Sequence, residues 1–85
     1  MAEVVIYSTT VCPFCVRAKA LLSKKKVAFQ EINLTEHPGR REEMVSRANG
    51  RRTVPQIFIN GQHVGGCDDL HELEAAGELD ALLAR

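Results

Sequence analysis

The chain has no net charge and no long hydrophobic run. Eleven Lys and Arg side chains balance eleven Asp and Glu side chains among 85 residues. Balanced charge gives no general attraction to nucleic acid or to an anionic membrane, so we expect neither as a partner. The apolar stretch at residues 4–7 is too short for a membrane span or a signal peptide and lacks a basic flank. We therefore expect an intracellular, cytoplasmic protein.

Cysteine is also scarce, with only Cys12, Cys15 and Cys67 present. An odd and low number of cysteines argues against the disulfide framework of a small secreted protein. Hydrophobic residues make up 45% of the chain, which argues against disorder. The length, without any visible repeat or linker, predicts one small domain spanning residues 1–85.

Strand-like and helix-like segments alternate along the chain. Residues 3–8 and 27–34 are β-type runs, and Pro13 opens a helix that extends to about residue 25. Pro38 is expected to begin a second helix, which Asn49 and Gly50 end. The fold therefore begins with a β-α-β unit, whose two strands should be parallel.

The second half of the chain contains a hairpin signal. Asn60-Gly61 separates the apolar segment 56–59 from the segment 62–64, which predicts a two-residue turn with positive φ. Asp68 or Asp69 is expected to cap a third helix, since Asp69 and Glu72 have the spacing of a capping box. The order β-α-β-α-β-β-α predicts an α/β fold, with a mixed four-stranded sheet and three or four helices on its two faces.

Cys12 and Cys15 form a C-x-x-C motif between the first strand and the first helix. At a helix N-terminus, unpaired N–H groups and the helix dipole stabilise a thiolate. Such cysteines have pKa values lowered from about 8.5 to about 3.5–7.5. Cys15 lies one turn further on, towards the apolar face. We therefore predict that Cys12 attacks and Cys15 resolves the mixed disulfide, while Pro13 stiffens the turn between them.

The same spacing is compatible with half of a zinc site, or with two cysteines that merely pack in a core. A closed zinc site needs a second pair of ligands, and none is visible. The remaining candidates are isolated in the sequence: His37, His63, Cys67 and His71. We therefore expect no metal site.

Three segments resemble the glutaredoxins, and the resemblance spans essentially the whole chain. The first is CPFC at 12–15, with Phe14 where the family usually has Tyr; the second is TVPQIFI at 53–59; the third is GGCDDL at 65–70. Bacterial single-domain dithiol glutaredoxins are the most similar type. The resemblance implies a thioredoxin-like fold and a cis Val54–Pro55 bond that faces the cysteines.

The resemblance also implies a site for glutathione, a co-substrate and not a bound cofactor. The free backbone groups of Val54 would pair with its cysteine, and the N–H groups of Cys67 and Asp68 would bind its γ-glutamyl carboxylate. The expected glutathione-binding residues are Phe14, Thr53, Val54, Pro55, Gly66, Cys67, Asp68 and Arg52.

One expected contact of the family is missing. A Lys often lies three residues before the first cysteine, where this chain has Thr9. A different cation must then bind the glycine carboxylate of glutathione, and Arg52 is nearest in sequence to Thr53. The other candidates are Arg17, Arg40, Arg41 and Arg51.

The implied activity is glutathione-dependent reduction of protein disulfides and of glutathione mixed disulfides. The implied partners are glutathione and disulfide-bearing or glutathionylated proteins, ribonucleotide reductase among them, with the protein acting as a monomer. Two alternatives stay open at this point. One is a glutaredoxin-like redoxin reduced by thioredoxin reductase, and the other is an iron–sulfur or metal-binding carrier. The segment from Gly65 to Asp69, which resembles the glutathione loop of the family, argues against the first, and Pro13 with Cys15 argues against the second.

Overall fold

The computed structural model describes residues 2–84. The strands are β1 (Val4–Ser8), β2 (Gln30–Asn33), β3 (Gln56–Ile59) and β4 (Gln62–Gly65). The helices are α1 (Pro13–Lys24), α2 (Arg41–Arg47), α3 (Cys67–Ala75) and α4 (Leu79–Leu83), and a short 3₁₀ turn (Pro38–Arg40) precedes α2.

The four strands form one mixed sheet in the order β2-β1-β3-β4. β1 and β2 are parallel, with Val5 opposite Gln30, and α1 connects them. β3 is antiparallel to both β1 and β4. The predicted β-α-β unit followed by a hairpin is therefore confirmed.

Alternation along the strands divides the core into two layers. Val4 and Ile6 of β1 pack on the side that we call the α1 face, whereas Val5 and Tyr7 pack on the opposite side, the α2 face. The α1 face is covered by buried side chains of three helices: Ala18, Leu21, Leu22, Leu70, Leu79 and Leu83. The α2 face is covered by Met44 and Ala48. Helices therefore lie on both faces of the sheet, as predicted.

Polar contacts attach α2 to the sheet. The Tyr7 hydroxyl, fully buried, donates a hydrogen bond to Glu43 and accepts one of 2.9 Å from Arg47 Nη1. The Arg47 guanidinium also lies 4.5 Å from the ring centroid of Phe58. Because a buried hydroxyl is costly without partners, these contacts fix which side of α2 meets the sheet.

The second strand is shorter than the sequence predicted. The prediction was residues 27–34, but β2 begins at Gln30. Lys26 has a φ of +60°, which redirects the chain after α1, and the Val27 N–H still donates to the Leu22 carbonyl. Val27 and Phe29 pack against the α1 face without pairing, since the register between β1 and β2 begins at the Val5–Gln30 pair.

The starts of the second and third helices also differ from the prediction. Pro38 begins a 3₁₀ turn, and α2 proper starts at Arg41. Gly66 is the N-cap of α3, so Asp68 and Asp69 lie within its first turn and neither is the cap. The predicted Asp69–Glu72 box is therefore wrong. Glycine has no side chain to cap with, and the Asp69 carboxylate accepts the Gly66 N–H at 2.9 Å instead.

The hairpin turn is confirmed. Asn60 and Gly61 both have positive φ, +53° and +78°, as a two-residue turn of this type requires. Asn60 also exchanges hydrogen bonds with Glu3, through its side chain at 2.9 Å and its N–H at 2.7 Å. None of the helices within residues 2–84 has the length and apolar character needed to cross a bilayer.

Candidate active site

Cys12 and Cys15 lie at the start of α1 and are joined by a disulfide, with their Cα atoms 5.2 Å apart. Cys12 is the N-cap residue in extended conformation, and Pro13 occupies the first helical turn. The Cys12 sulfur accepts a hydrogen bond of 3.1 Å from the Cys15 N–H. The sulfur therefore occupies the place that a Ser or Asp oxygen takes in an ordinary N-cap.

The two cysteines differ in exposure. Cys12 is half-buried, whereas Cys15 is only 1% exposed. The Cys15 N–H at the start of α1 is directed at the Cys12 sulfur, and no acidic residue lies in the first turn to oppose a negative charge on the reduced sulfur. The geometry favours a thiolate on Cys12 and leaves Cys15 covered by the core.

A cleft of about 140 Å³ lies beside Phe14. It is lined by Phe14, Arg51, Thr53, Val54, Pro55, Gly66, Cys67, Asp68 and Asp69. Three segments far apart in sequence meet here: the start of α1, the loop before β3 and the start of α3. All the residues expected to contact glutathione line this cleft except Arg52. Phe14 is 52% exposed, so its ring is available to a ligand.

The Val54–Pro55 peptide bond is cis, as the resemblance implied. Pro55 is buried, while Val54 is half-buried. Within residues 2–84 the Val54 N–H and C=O take no part in backbone hydrogen bonds. Both groups are therefore available to an extended ligand that lies along the cleft.

Gly65 and Gly66 allow the backbone to come close to its neighbours. Gly65 has a φ of +122°, and a Cβ there would lie 2.3 Å from Asp69 Oδ2. A Cβ on Gly66 would lie 3.4 Å from the Pro55 carbonyl oxygen. Any larger residue at Gly65 would displace the carboxylate that accepts the Gly66 N–H.

Asp69, which was not among the expected glutathione contacts, also lines the cleft, and so does Arg51, one of the alternative cations named from the sequence. Their side chains pair at 3.1 Å between Nη1 and Oδ2. The Gly66 N–H, and then Arg51, hold the pKa of the Asp69 carboxyl below its usual value. Asp69 follows Asp68 in the GGCDDL motif, but no local signal distinguishes Arg51 from the neighbouring arginine.

Arg52 lies outside the cleft lining. Its guanidinium pairs with Glu42 at 3.3 Å, and its carbonyl accepts a hydrogen bond of 2.6 Å from Arg41 Nη1. Arg40 pairs with Glu43 at 2.8 Å, on the α2 side of the molecule. Of the five candidate arginines, Arg51 is the one that lines the cleft.

Cys67 is buried, with 4% of its surface exposed, at the first position of α3. Burial raises the pKa of its thiol, so the sulfur stays protonated near neutral pH. The backbone N–H groups of Cys67 and Asp68 belong to the first turn of α3, where helical amides lack partners within the helix. Cys67 therefore contributes its backbone to the cleft and has a weakly reactive sulfur.

Comparisons with known proteins agree on one family. The family model described as glutaredoxin matches residues 4–64. Glutaredoxin 3 of Escherichia coli (strain K12) is 59% identical over 83 residues, which cover 98% of this chain and 99% of that protein. The solution structure of glutaredoxin from Brucella melitensis is 54% identical with a TM-score of 0.84, and covers 98% of this chain and 89% of that one.

A more distant relative has been solved as a complex with glutathione. The buckwheat glutaredoxin–glutathione complex is 32% identical with a TM-score of 0.88, and the match covers 98% of this chain and 77% of that one. The sheet order, the α1 N-terminus and the cleft therefore belong to a thioredoxin-like fold of the glutaredoxin type. The chain is a member of the glutaredoxin family and a thiol–disulfide oxidoreductase.

Proposed function

We propose that this protein uses glutathione to reduce protein disulfides and glutathione mixed disulfides, with Cys12 as the nucleophile and Cys15 as the resolving thiol. The observation that carries the proposal is the position of the Cys12 sulfur. It caps α1 and accepts the Cys15 N–H at 3.1 Å, and Cys12 is more exposed than Cys15.

In the monothiol mode, the Cys12 thiolate attacks the glutathione sulfur of a glutathionylated protein. A Cys12–glutathione disulfide forms, the substrate disulfide breaks, and the substrate leaves as a thiolate that takes a proton from water. A second glutathione thiolate then attacks the glutathione sulfur bound to Cys12. The products are glutathione disulfide and the Cys12 thiolate. The net reaction consumes one free glutathione, and the mixed disulfide of the substrate is exchanged for glutathione disulfide.

In the dithiol mode, Cys12 attacks a protein disulfide and forms a mixed disulfide with one of its sulfurs. Cys15, deprotonated as it attacks, displaces the protein thiol and forms the Cys12–Cys15 disulfide that the structure contains. Glutathione returns this disulfide to the dithiol in two further exchanges. Glutaredoxins have reduction potentials of roughly −200 to −230 mV, which a cytosolic glutathione pool can sustain. We propose the cytoplasm as the compartment of this protein.

The cleft supports glutathione as the ligand because its groups match the parts of the tripeptide. The Val54 N–H and C=O would pair with the cysteine residue of glutathione. The α3 amides at Cys67 and Asp68 would bind the γ-glutamyl carboxylate, and the Asp68 carboxylate would accept from the α-ammonium group. Arg51 offers a cation at the cleft, which favours it over Arg52 for a glutathione carboxylate. The crystal structure of the buckwheat relative is that of a complex with glutathione.

The test separates the two modes with cysteine variants. Cys12→Ser is expected to abolish both reactions. Cys15→Ser is expected to retain reduction of the mixed disulfide of glutathione and 2-mercaptoethanol, but to lose glutathione-driven reduction of a protein disulfide. The measurement is NADPH consumption coupled through glutathione reductase. Loss of both reactions in Cys15→Ser would contradict the assignment of roles.

Two further measurements distinguish the remaining alternatives: turnover with thioredoxin reductase in place of glutathione and glutathione reductase, and the iron content of the purified protein. Turnover supported by thioredoxin reductase and not by glutathione would overturn glutathione as the reductant. Iron in the purified protein would favour a metal carrier instead. Ribonucleotide reductase is a proposed protein substrate that the glutathione-coupled assay can test, and sedimentation can test the proposed monomer.

A further inference from the structure

Gln56 is a fully buried polar side chain immediately after the cis-proline loop. It lies on β3 opposite Tyr7, on the α2 face, and does not line the cleft. A primary amide taken completely out of water costs free energy unless its polar atoms find partners. The contacts of the Gln56 amide therefore show what its burial achieves.

The Gln56 amide bonds to the loop that precedes it. Its Nε2 donates to the Thr53 carbonyl at 3.0 Å and lies 3.3 Å from the Thr53 hydroxyl. Its Oε1 lies 2.7 Å from His63 Nε2, on the neighbouring strand β4. Gln56 thus connects the sheet to Thr53, whose neighbours Val54 and Pro55 line the cleft.

The partners determine the orientation of each group. A carbonyl only accepts, so the Gln56 nitrogen must face Thr53 and its oxygen must face His63. His63 then carries a proton on Nε2. Its Nδ1 then carries no proton and accepts from Asn49 Nδ2 at 3.4 Å. An imidazole with one ring proton is neutral.

Charges around His63 agree with a neutral ring. Burial, and then the nearby positive charge of Arg51, lower the pKa of His63, while Asp69 acts weakly in the opposite direction. The ring also packs 5.1 Å from that of Phe58, which limits its rotation. His63 therefore presents a fixed donor to the Gln56 oxygen.

We propose that Gln56, oriented by His63, is a positioning residue that fixes the Thr53–Val54–Pro55 segment for glutathione binding. The inference rests on the proposed function, because that segment is taken to bind the tripeptide. Gln56 itself touches neither the reacting sulfurs nor the ligand. Its loss would release the Thr53 carbonyl and allow the loop to sample conformations that bind glutathione poorly.

The expected effect is on substrate binding and not on the nucleophile. Gln56→Met keeps the side-chain length but removes both the donor and the acceptor. We expect its KM for the mixed disulfide of glutathione and 2-mercaptoethanol to rise about threefold to tenfold, the effect of losing about one hydrogen bond. The kcat and the rate at which iodoacetamide alkylates reduced Cys12 should not change, because uniform binding is lost and the reacting sulfur is untouched.

Two controls separate positioning from general damage. Gln62→Met makes the same chemical change at an exposed position of β4, and should leave KM unchanged. At His63, His63→Phe keeps a ring against Phe58 but has no donor, whereas His63→Gln keeps a donor and loses the ring. We expect His63→Phe to raise KM as Gln56→Met does. We expect His63→Gln to keep the wild-type KM.

The proposal is overturned if Gln56→Met keeps the wild-type KM, or if it slows alkylation and lowers kcat while KM stays constant. It is also overturned if His63→Gln and His63→Phe behave alike. Failure of the proposed function looks different. In that case, the wild-type protein itself would show no glutathione-dependent turnover, or Cys12→Ser would remain active.

Discussion

At the scale of single residues, one sulfur atom has a structural and a chemical task. The Cys12 sulfur caps α1 through the Cys15 N–H, as a serine hydroxyl does in other helices. The Cys15 N–H, which finds its hydrogen-bond acceptor in this sulfur, is therefore also a group that stabilises a Cys12 thiolate. Cys12→Ser keeps an oxygen able to cap, so this variant should fold normally while it loses the nucleophile.

Asp69 stabilises the start of α3 from within its first turn, because its carboxylate accepts the N–H of the N-cap residue Gly66. Replacing Asp69 by alanine removes the acceptor of the Gly66 N–H and the partner of Arg51. We expect Asp69→Ala to lower the free energy of unfolding at pH 7 by about 1 kcal/mol, because the Gly66 N–H loses its side-chain acceptor. Asp68→Ala is the matched control, since it removes an exposed acid from the same helical turn and should cost less. Urea unfolding of the three proteins measures the difference.

The contribution of Asp69 should depend on pH in one direction. Its pKa in the folded protein lies below the unfolded value of about 3.9. The stabilisation is then fully present above that unfolded value and is lost as the pH falls through the folded pKa. The gap in stability between wild type and Asp69→Ala should therefore narrow in acid. A gap that widened in acid would contradict the contacts described here.

At the scale of elements, the β3–β4 hairpin depends on its turn. Gly61 has a φ of +78°, a region that L side chains enter at a cost. We expect Gly61→Ala to destabilise the protein by about 1 kcal/mol, even though the added Cβ would meet no atom of residues 2–84 within 4 Å apart from its own chain neighbours. Thermal or urea unfolding tests this value.

Gly39 supplies the comparison for Gly61. A Cβ there would also lie in open space within the part of the chain that the structure describes, but Gly39 has no positive φ. Gly39→Ala should be neutral or slightly stabilising, because it only restricts the unfolded chain. Equal destabilisation by both substitutions would show that backbone conformation is not the cause.

Elements with a strong local signal were predicted well from the sequence. Pro13 at the first turn of α1 and Asn60-Gly61 in the hairpin restrict the backbone by themselves. The start of β2 depends instead on its register with β1, which is a tertiary feature that the local sequence does not determine. The start of α3 at Gly66 depends on the Asp69 carboxylate accepting the Gly66 N–H, and the sequence does not show which of the two adjacent acids does so.

At the scale of the whole molecule, the sheet brings three segments together at one cleft. Segments 12–15, 53–55 and 66–68 were assigned from a family resemblance, and the structure places them around Phe14. Arg51 could not be singled out in that way. Its contact with Asp69 spans 18 residues and is created by the packing of α3 beside the loop before β3. The buried link from His63 through Gln56 to Thr53 is likewise tertiary, because β4 must pair with β3 first.

The most direct test of this account is the ionisation of Cys12 in the reduced protein. The rate of iodoacetamide alkylation, assigned to Cys12 by mass spectrometry, is measured against pH in wild type and in Cys15→Ser. We predict that the rate reaches half its maximum well below the pKa of about 8.5 of an unperturbed thiol, because the amides at the start of α1 stabilise the thiolate. A Cys12 that titrates at about 8.5, as a free thiol does, would contradict the account.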